Sequence, residues 1–376
     1  MIARLLEKQL LNKFGKGKTL VLIGPRQVGK TTLIKKCLGT EDFLFLDGDD
    51  PDVRSLLEDA GLSKLKAIIG KQKKVFIDEA QRIKNVVLTS KIIHDQMADV
   101  QLILSGSSAL DISNATQESL TGRKFEYLLF PLSWEEFENH FGYIEASAQL
   151  EERMIFGMYP DVVNNRSEAR EVLKQLSSSY LYKDILSLTG IKKPEILEKL
   201  LKALALQLGN EVSYNELSSL LEIDKITVAK YIDLLEKAYI IFRLNSFSRN
   251  QRNEIKHNRK IYFYDNGIRN SIINNFNNLE TRSDKGALWE NFLISERIKF
   301  QHYYQHYTRN YFWRTVQKHE IDFVEDSNGQ LTAYEFKWKK RSKDKIPNSF
   351  LEAYSASGKI IDTDNFREFV MPGEGA

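Results

Sequence analysis

The stretch GPRQVGKTT, residues 24–32, decides the fold of this 376-residue chain. It matches the pattern G-x-x-x-x-G-K-[ST], follows the apolar run TLVLIG (19–24) and leads into a helical pattern at Thr31–Leu38. Glycines let backbone N–H groups turn towards a phosphate, and the start of a helix adds the positive end of its dipole. A chance match in an unrelated glycine turn would lack this strand and helix. The stretch therefore predicts the phosphate-binding loop of a nucleoside triphosphate site.

The loop also predicts which groups hold ATP and Mg²⁺. Lys30 is expected to reach the β- and γ-phosphates, and the Thr31 hydroxyl is expected to coordinate the metal. The predicted nucleotide-binding residues are those of the loop itself: Gly24, Pro25, Arg26, Gln27, Val28, Gly29, Lys30, Thr31 and Thr32.

Three further apolar runs follow the loop, FLFLD (43–47), KVFIDEA (74–80) and VQLILSG (100–106), with helical patterns between them. Continuous apolar strands are typical of a parallel sheet that helices cover on both faces. We therefore predict an α/β domain around the phosphate loop.

Polar residues end two of these strands, and the carboxyl ends of neighbouring parallel strands meet at a ligand. Asp78 is predicted to bind Mg²⁺, and Glu79 to polarise the water that attacks the γ-phosphate. A glutamate there favours ATP hydrolysis over a GTP switch. Ser107 is predicted to sense the γ-phosphate or to orient the water, with an ordinary polar turn as the alternative.

An arginine finger is the least determined part of the predicted site. Arg123 is the first choice because it lies just past the sensor strand, and Arg26, inside the loop, is the second. Either is equally explained as a surface cation. A finger supplied by a neighbouring subunit would require a homo-oligomer, which we expect.

Composition sets broad limits. The net charge of +3 neither requires nor excludes nucleic acid, and the single cysteine, Cys37, rules out an intramolecular disulfide and a cysteine zinc site. No apolar run approaches the roughly 20 residues that span a bilayer, and the charged N-terminus lacks the apolar core of a signal peptide. We expect a cytoplasmic protein with no membrane partner.

Residues 195–244 predict three amphipathic helices and a strand, and KIYFYD (260–265) a second strand. Helices at Tyr214–Leu221 and Lys225–Ala238 suit a helix-turn-helix, and the two strands suit a wing. The expected DNA-facing residues of the second helix are Lys225, Thr227, Lys230 and Tyr231. The basic segment 245–260 is expected to follow a phosphate backbone. Packing between domains and protein binding are the alternatives.

The C-terminal part predicts a helix at Lys285–Phe300 and strands at 311–314, 320–325 and 331–338, with a hairpin turn at Asn328-Gly329. Glu290 lies on the helix, Asp322 on the second strand, and Glu335 and Lys337 on one face of the third. Asp322 and Glu335, assisted by Glu290, are predicted to hold Mg²⁺ through oxygen ligands. Lys337 is predicted to orient the water that attacks a phosphodiester or to stabilise charge at the phosphorane.

The order of these acids and lysine is that of PD-(D/E)xK nucleases, with Ile321 in place of the usual proline. A cation run, Lys339, Lys340, Arg341, Lys343 and Lys345, follows and is expected to hold nucleic acid, although a solvated loop explains it as well.

Several motifs together resemble a family of AAA-type ATPases of bacteria and archaea that carry a C-terminal domain of unknown function. They are GPRQVGKTTL (24–33), VFIDEAQ (75–81), LILSGSSA (102–109), LTGR (120–123), FPLSWEEF (130–137), GMYP (157–160), YKDI (182–185) and YDNG (264–267). The resemblance covers nearly the whole chain. It implies an ATPase core, a winged-helix middle and a nuclease-like end.

The predicted architecture is an AAA+-like P-loop domain with a helical extension over 1–195, a winged-helix module over 196–265 and an α/β restriction-endonuclease-like domain over 266–376. The predicted function is ATP hydrolysis with DNA binding and metal-dependent DNA cleavage. The alternative is a regulatory ATPase switch whose nuclease-like domain is inactive and binds protein or DNA. A small-molecule kinase is disfavoured because no lid or acceptor site is visible in the sequence.

Overall fold

The computed structural model describes residues 1–107, 122–177, 194–248, 259–315, 317, 319–342 and 344–373. The chain forms two compact units, residues 1–131 with 237–239, and residues 132–236 with 240–376. Each unit has its own sheet.

The first unit contains a five-stranded sheet in the order β2-β3-β4-β1-β5, and every neighbouring pair is parallel. The strands are β1 (Thr19–Ile23), β2 (Leu44–Asp47), β3 (Lys74–Asp78), β4 (Gln101–Gly106) and β5 (Lys124–Leu128). The helices are Leu6–Leu11, Lys30–Leu38, Pro51–Leu57, Leu62–Ile69 and Val86–Gln96, with a 3₁₀ turn at Ala80–Arg82.

The four strands predicted for this unit are confirmed as β1 to β4. Three of them, β1, β3 and β4, are buried almost throughout their lengths, as their continuous apolar sequences predicted. β5 was not predicted. It is an edge strand whose side chains are half-buried or exposed, so its sequence carries no apolar run.

The second unit contains a seven-stranded sheet in the order β12-β11-β10-β9-β7-β8-β6. Its strands are β6 (Glu211–Val212), β7 (Ile241–Ser246), β8 (Arg259–Phe263), β9 (Arg309–Arg314), β10 (Glu320–Ser327), β11 (Gln330–Phe336) and β12 (Ser357–Ile361). The helices of this unit are Trp134–Phe141, Tyr143–Ala148, Leu150–Phe156, Pro160–Asn164, Ala169–Gln175, Pro194–Leu206, Tyr214–Leu221, Lys225–Lys237, Asn266–Ile272, Lys285–Tyr303, Asn348–Tyr354 and Phe366–Val370. Two 3₁₀ turns lie at Arg166–Glu168 and Leu279–Thr281.

The predicted helices and strands from residue 194 onward are confirmed, including the hairpin between β10 and β11. Asn328 and Gly329 both have positive φ angles, 55° and 89°, as a two-residue hairpin turn needs. One detail differs. Tyr231 faces the interior of the unit rather than solvent, because it lies on the apolar side of its helix with Val228 and Leu235.

The sheet does not stop at the predicted boundary at residue 265. β7 and β8, the strands predicted as a wing, pair with each other, and β7 also pairs in parallel with β9 of the C-terminal part through Asn245 and Tyr311. The two predicted domains therefore share one sheet, since the outer edge of β7 needs a hydrogen-bonding partner.

The helices after residue 131 group with the second unit and not with the ATP-binding part, in contrast to the predicted division at 195. Trp134 explains this grouping, because its buried indole contacts the rings of Phe292 and Phe366 at centroid distances of 6.0 and 5.2 Å. Such aromatic burial contributes strongly to a core. Within the described residues, no helix is both long enough and apolar enough to cross a membrane.

Candidate active sites

The phosphate loop connects β1 to the helix Lys30–Leu38 and depends on two glycines. Gly24 and Gly29 have φ angles of +150° and +94°. A Cβ atom at Gly24 would lie 2.1 Å from the carbonyl oxygen of Leu129, so no other residue fits there. The backbone can therefore curl tightly before the helix, with its first N–H groups directed at a bound phosphate.

Lys30 is buried within this loop. Its Nζ donates hydrogen bonds to the carbonyl oxygens of Gly24 and Pro25 at 2.9 and 2.7 Å. The positive charge is thus held inside the loop, and its contact with the β- and γ-phosphates stays a prediction.

Arg4 supports the loop from the N-terminal segment, and the sequence offered no signal for it. Its guanidinium donates to the carbonyl oxygen of Val28 inside the loop and to that of Phe130, both at 2.6 Å. One charged side chain thereby ties the loop to the segment that follows β5.

Thr31 and Asp78 meet at the carboxyl ends of β1 and β3. The Thr31 hydroxyl donates to Asp78 Oδ2 at 2.5 Å, and Ser105 on β4 donates to Asp78 Oδ1. A hydroxyl and a carboxylate in contact at a phosphate loop fit Mg²⁺, which takes few protein ligands and keeps waters and substrate phosphates for the rest. Ser105 was missed, since its role appears only when β3 and β4 lie side by side.

Glu79 and Ser107 also come together, and Gln81 links them. Gln81 Nε2 donates to Glu79 Oε2 at 2.6 Å and to Ser107 Oγ at 3.0 Å. Glu79 itself has a left-handed backbone, with φ 45° and ψ 41°, which turns the chain sharply after β3. The sequence singled out the acid and the serine but not the glutamine between them.

Arg123, the first candidate for the arginine finger, does not lie at this site in its own chain. It precedes β5, and its carbonyl oxygen accepts from the N–H of Thr19 at the start of β1. The loop lies at the other end of β1, roughly 15 Å away at 3.3 Å per residue. Arg123 pairs instead with Asp95 at 2.8 Å. Arg26 lies in the loop and is half-buried.

A second acidic centre forms on the sheet of the second unit, where the structure brings together all four residues that the sequence predicted. Phe323 pairs with Tyr334, which places Asp322 opposite Glu335 on the two antiparallel strands. Asp322 Oδ2 accepts from the N–H of Phe336 at 2.8 Å, and Lys337 Nζ lies 2.6 Å from Glu335 Oε1.

Lys260 enters this centre from β8, whereas the sequence placed it at the end of the basic segment 245–260 and the start of a predicted strand, with no role at an active site. Its side chain is 1% exposed, and its Nζ lies 3.1 Å from Glu290 Oε1 and 2.6 Å from Glu320 Oε1. Tyr262 donates to the same oxygen of Glu290 at 2.5 Å. The shared sheet is the reason, because β8 of the predicted wing and β10 both belong to it, with β7 and β9 between them, and β8 also contacts the helix Lys285–Tyr303.

The carboxyl groups of this centre have raised pKa values, mainly because they are buried. Burial raises the pKa of Glu290 to about 7 although Lys260 opposes the shift. Burial and the charge of Asp322 raise the pKa of Glu335 to about 7. Burial also raises the pKa of Asp322. Perturbed carboxyl groups of this kind are a feature of functional sites.

The described carboxylates of this centre do not form a ready-made metal site on their own. Throughout the part of the chain that the structure describes, no three acidic, histidine or cysteine side chains group closely enough to hold a metal ion by themselves. Glu335 Oε2, however, is buried and has no hydrogen-bond partner among the described residues. A buried, unpaired carboxylate oxygen is costly unless a proton or a cation satisfies it.

Comparison with known families divides the chain into three stretches. Residues 16–138 match the model described as "AAA domain". Residues 147–279 and 285–370 match two models described as "Domain of unknown function", DUF8612 and DUF4143. The part of the chain that carries the phosphate loop is therefore similar to an AAA-type P-loop ATPase domain.

Relatives along nearly the whole chain carry no assigned role. An uncharacterised protein of Methanocaldococcus jannaschii is 24% identical and aligns with 96% of this chain and 84% of its own length. One of Mycobacterium tuberculosis is 26% identical, with coverages of 94% and 76%. The solved Walker-type ATPase of Pyrococcus abyssi is similar in fold, with a TM-score of 0.50, 16% identity and coverages of 73% and 96%.

Proposed function

We propose that this protein hydrolyses ATP with Mg²⁺ in its first unit and uses the nucleotide cycle to act on DNA through its second unit. The proposal of ATP hydrolysis is supported by the contact between Asp78 and Thr31, which follows Lys30 in the phosphate loop. When bound, Mg²⁺ supplies positive charge to the β- and γ-phosphate oxygens. Thr31 and Asp78 would hold it, Lys30 would neutralise the phosphates, and Glu79 would accept a proton from the attacking water.

Purified protein tests the ATPase proposal directly. We expect Mg²⁺-dependent ATP turnover that Lys30→Ala abolishes, because the buried Nζ of Lys30 is the charge proposed to neutralise the phosphates. Glu79→Gln should retain ATP binding and turn over at least 100-fold more slowly, the usual range for loss of a general base. Lys36→Ala, on the outer face of the same helix, is the matched control. Wild-type protein that binds ATP without turnover would contradict the proposal.

DNA binding by the second unit is supported by the order of its elements. Residues 194–263 run helix, strand, helix, helix, strand, strand, the order of a winged helix. Lys225 and Lys230 are exposed on the third helix, and Lys339, Lys340 and Arg341 are exposed after β11. Of the predicted basic segment 245–260, residues 249–258 lie outside the described residues, as does Lys343.

The salt dependence of duplex DNA binding tests the proposal that the second unit binds DNA. Lys339→Ala with Lys340→Ala should weaken binding of any sequence and reduce the slope of log K against log salt by about two. Lys359→Ala, an exposed lysine on the edge strand β12, is the control. Binding that is unchanged in both variants would exclude the cation run as the contact.

We further propose that the acidic centre cuts the bound DNA with a divalent cation. Asp322 and Glu335 would hold Mg²⁺ with substrate phosphate oxygens as further ligands, and the unpaired Glu335 Oε2 supports this. Lys337 beside Glu335 would orient the attacking water. Glu335→Gln and Lys337→Met should each abolish cutting in Mg²⁺ or Mn²⁺ and leave ATP turnover unchanged.

A regulatory switch with an inactive centre is the second candidate, because Lys260 already supplies a cation between Glu290 and Glu320. In that case the protein binds DNA, never cuts it with any metal, and changes its assembly with ATP. Light scattering of Glu79→Gln with and without ATP measures assembly and also tests the proposed homo-oligomer.

A further inference from the structure

Gln81 is the only described link between the proposed base and the proposed phosphate sensor of the ATP site. Its amide nitrogen has two protons and donates both, one to Glu79 Oε2 at 2.6 Å and one to Ser107 Oγ at 3.0 Å. Its amide oxygen is buried and has no hydrogen-bond partner among the described residues. The side chain is thus oriented by its donors alone, although leaving the acceptor unpaired costs free energy.

The backbone around Gln81 is shaped so that this link can form. Glu79 takes a left-handed conformation, which is unfavourable for a residue with a side chain, and the 3₁₀ turn Ala80–Arg82 starts directly after it. Gly48 packs against this turn so closely that a Cβ atom there would lie 2.5 Å from the Glu79 carbonyl oxygen. A strained turn held by its neighbours is typical of a functional position.

We propose that Gln81 is a positioning residue for ATP hydrolysis that couples γ-phosphate sensing by Ser107 to the placement of the Glu79 carboxylate. The inference rests on the proposed hydrolysis. While Ser107 Oγ accepts from Gln81, its own proton is directed away and can be donated to a γ-phosphate oxygen. Because one amide group serves both residues, a change at Ser107 on nucleotide binding alters the hydrogen bond that holds Glu79.

Steady-state kinetics of two variants tests the proposal. Gln81→Leu keeps the size of the side chain and removes both donors, and Gln81→Glu also adds a negative charge beside Glu79. We expect kcat to fall about ten-fold or more in Gln81→Leu and further in Gln81→Glu, as for loss of a hydrogen bond to a charged group. KM for ATP should stay within about two-fold, because the residue acts on the base and not on the bound nucleotide.

A double variant separates positioning from a merely structural effect. If Gln81 acts through Ser107, Gln81→Leu combined with Ser107→Ala should lower kcat by clearly less than the product of the single effects. Gln72→Leu is the matched control, since Gln72 is also a glutamine of the first unit and its amide pairs with Asp42 at its surface. The control should leave kcat unchanged.

Three outcomes would overturn the inference. They are unchanged kcat in both Gln81 variants, a loss confined to KM, and single effects that multiply fully in the double variant. Wild-type protein without any ATP turnover would instead refute the proposed function, so the two failures are distinguishable.

Discussion

Lys299→Met is expected to destabilise the second unit strongly, because Lys299 and Glu296 form a fully buried ion pair. Both side chains are 1% exposed, and their charged atoms lie 2.6 Å apart on one helix. Glu296 also accepts from the N–H of Trp134 at 2.7 Å, and Lys299 donates to the carbonyl oxygen of Leu132 at 2.9 Å. The pair thus ties the helix Lys285–Tyr303 to the start of the unit.

The expected loss of unfolding free energy depends on the charge state of the buried Glu296 carboxylate once Lys299 is removed. It either stays charged, at a cost of about 3–5 kcal/mol for a broken buried pair, or takes up a proton. Protonation of a glutamate with an ordinary pKa near 4.3 costs about 3.7 kcal/mol at pH 7 and about 1 kcal/mol at pH 5. We therefore expect Lys299→Met to lose about 4 kcal/mol of unfolding free energy at pH 7.

Glu296 also determines whether the stability loss of Lys299→Met grows or shrinks with pH. Burial already raises the pKa of Glu296 in the native protein, although Lys299 opposes the shift, and removal of the lysine raises it further. A carboxyl group with a raised folded-state pKa favours folding when protonated, so its stability contribution is lost as pH rises. The defect of Lys299→Met should shrink to roughly 1–2 kcal/mol at pH 5.

Denaturant unfolding followed by tryptophan fluorescence is a suitable assay. All four tryptophans, Trp134, Trp289, Trp313 and Trp338, lie in the second unit, so the signal reports on that unit alone. Adding Glu296→Gln to Lys299→Met should restore stability to within about 1 kcal/mol of wild type, because the neutral amide still accepts from Trp134. Arg166→Met, which removes a half-exposed cation, should cost no more than about 1 kcal/mol.

A loss of unfolding free energy below about 1 kcal/mol for Lys299→Met at pH 7 would refute the reasoning, because removing the partner of a buried carboxylate costs more than this. A defect that grows as pH falls from 7 to 5 would refute the assigned charge state of Glu296.

Three further substitutions test contacts that position the sites. Gly48→Ala should lower kcat for ATP about ten-fold without unfolding the protein, because its methyl group would push the turn that carries Glu79; ATP turnover measures it. Arg4→Ala should weaken ATP binding about ten-fold, as measured by calorimetry, because the phosphate loop loses its charged support. Gly157→Ala should destabilise the second unit by about 3 kcal/mol in denaturant unfolding, because a Cβ atom there would lie 2.1 Å from the buried Asp265 carboxylate.

In the ATP site, local sequence predicted some of the residues, and others became evident only in the structure. The phosphate loop, Asp78 and Glu79 were predicted as site residues because their expected chemistry follows from a short pattern at the end of an apolar strand. Gln81 and Ser105 were not, since a glutamine in a turn and a serine in a strand acquire a role only when β3 and β4 are neighbours. The sequence also did not show that Arg123 lies at the other end of β1 from the loop, because sequence distance from a strand does not say which end of the sheet a residue reaches.

In the second unit, too, some features followed from the sequence and others only from the tertiary structure. By itself the sequence determined the helices, the strands, the hairpin at Asn328 and Gly329, and the set of acids, because these depend on periodicity and on the allowed backbone angles of single residues. Only the tertiary structure decided that β7 continues into β9 and that Lys260 lies buried beside Glu290. Strand pairing and burial of charge are long-range choices, made by whichever partners satisfy exposed edges and unpaired groups across the whole unit.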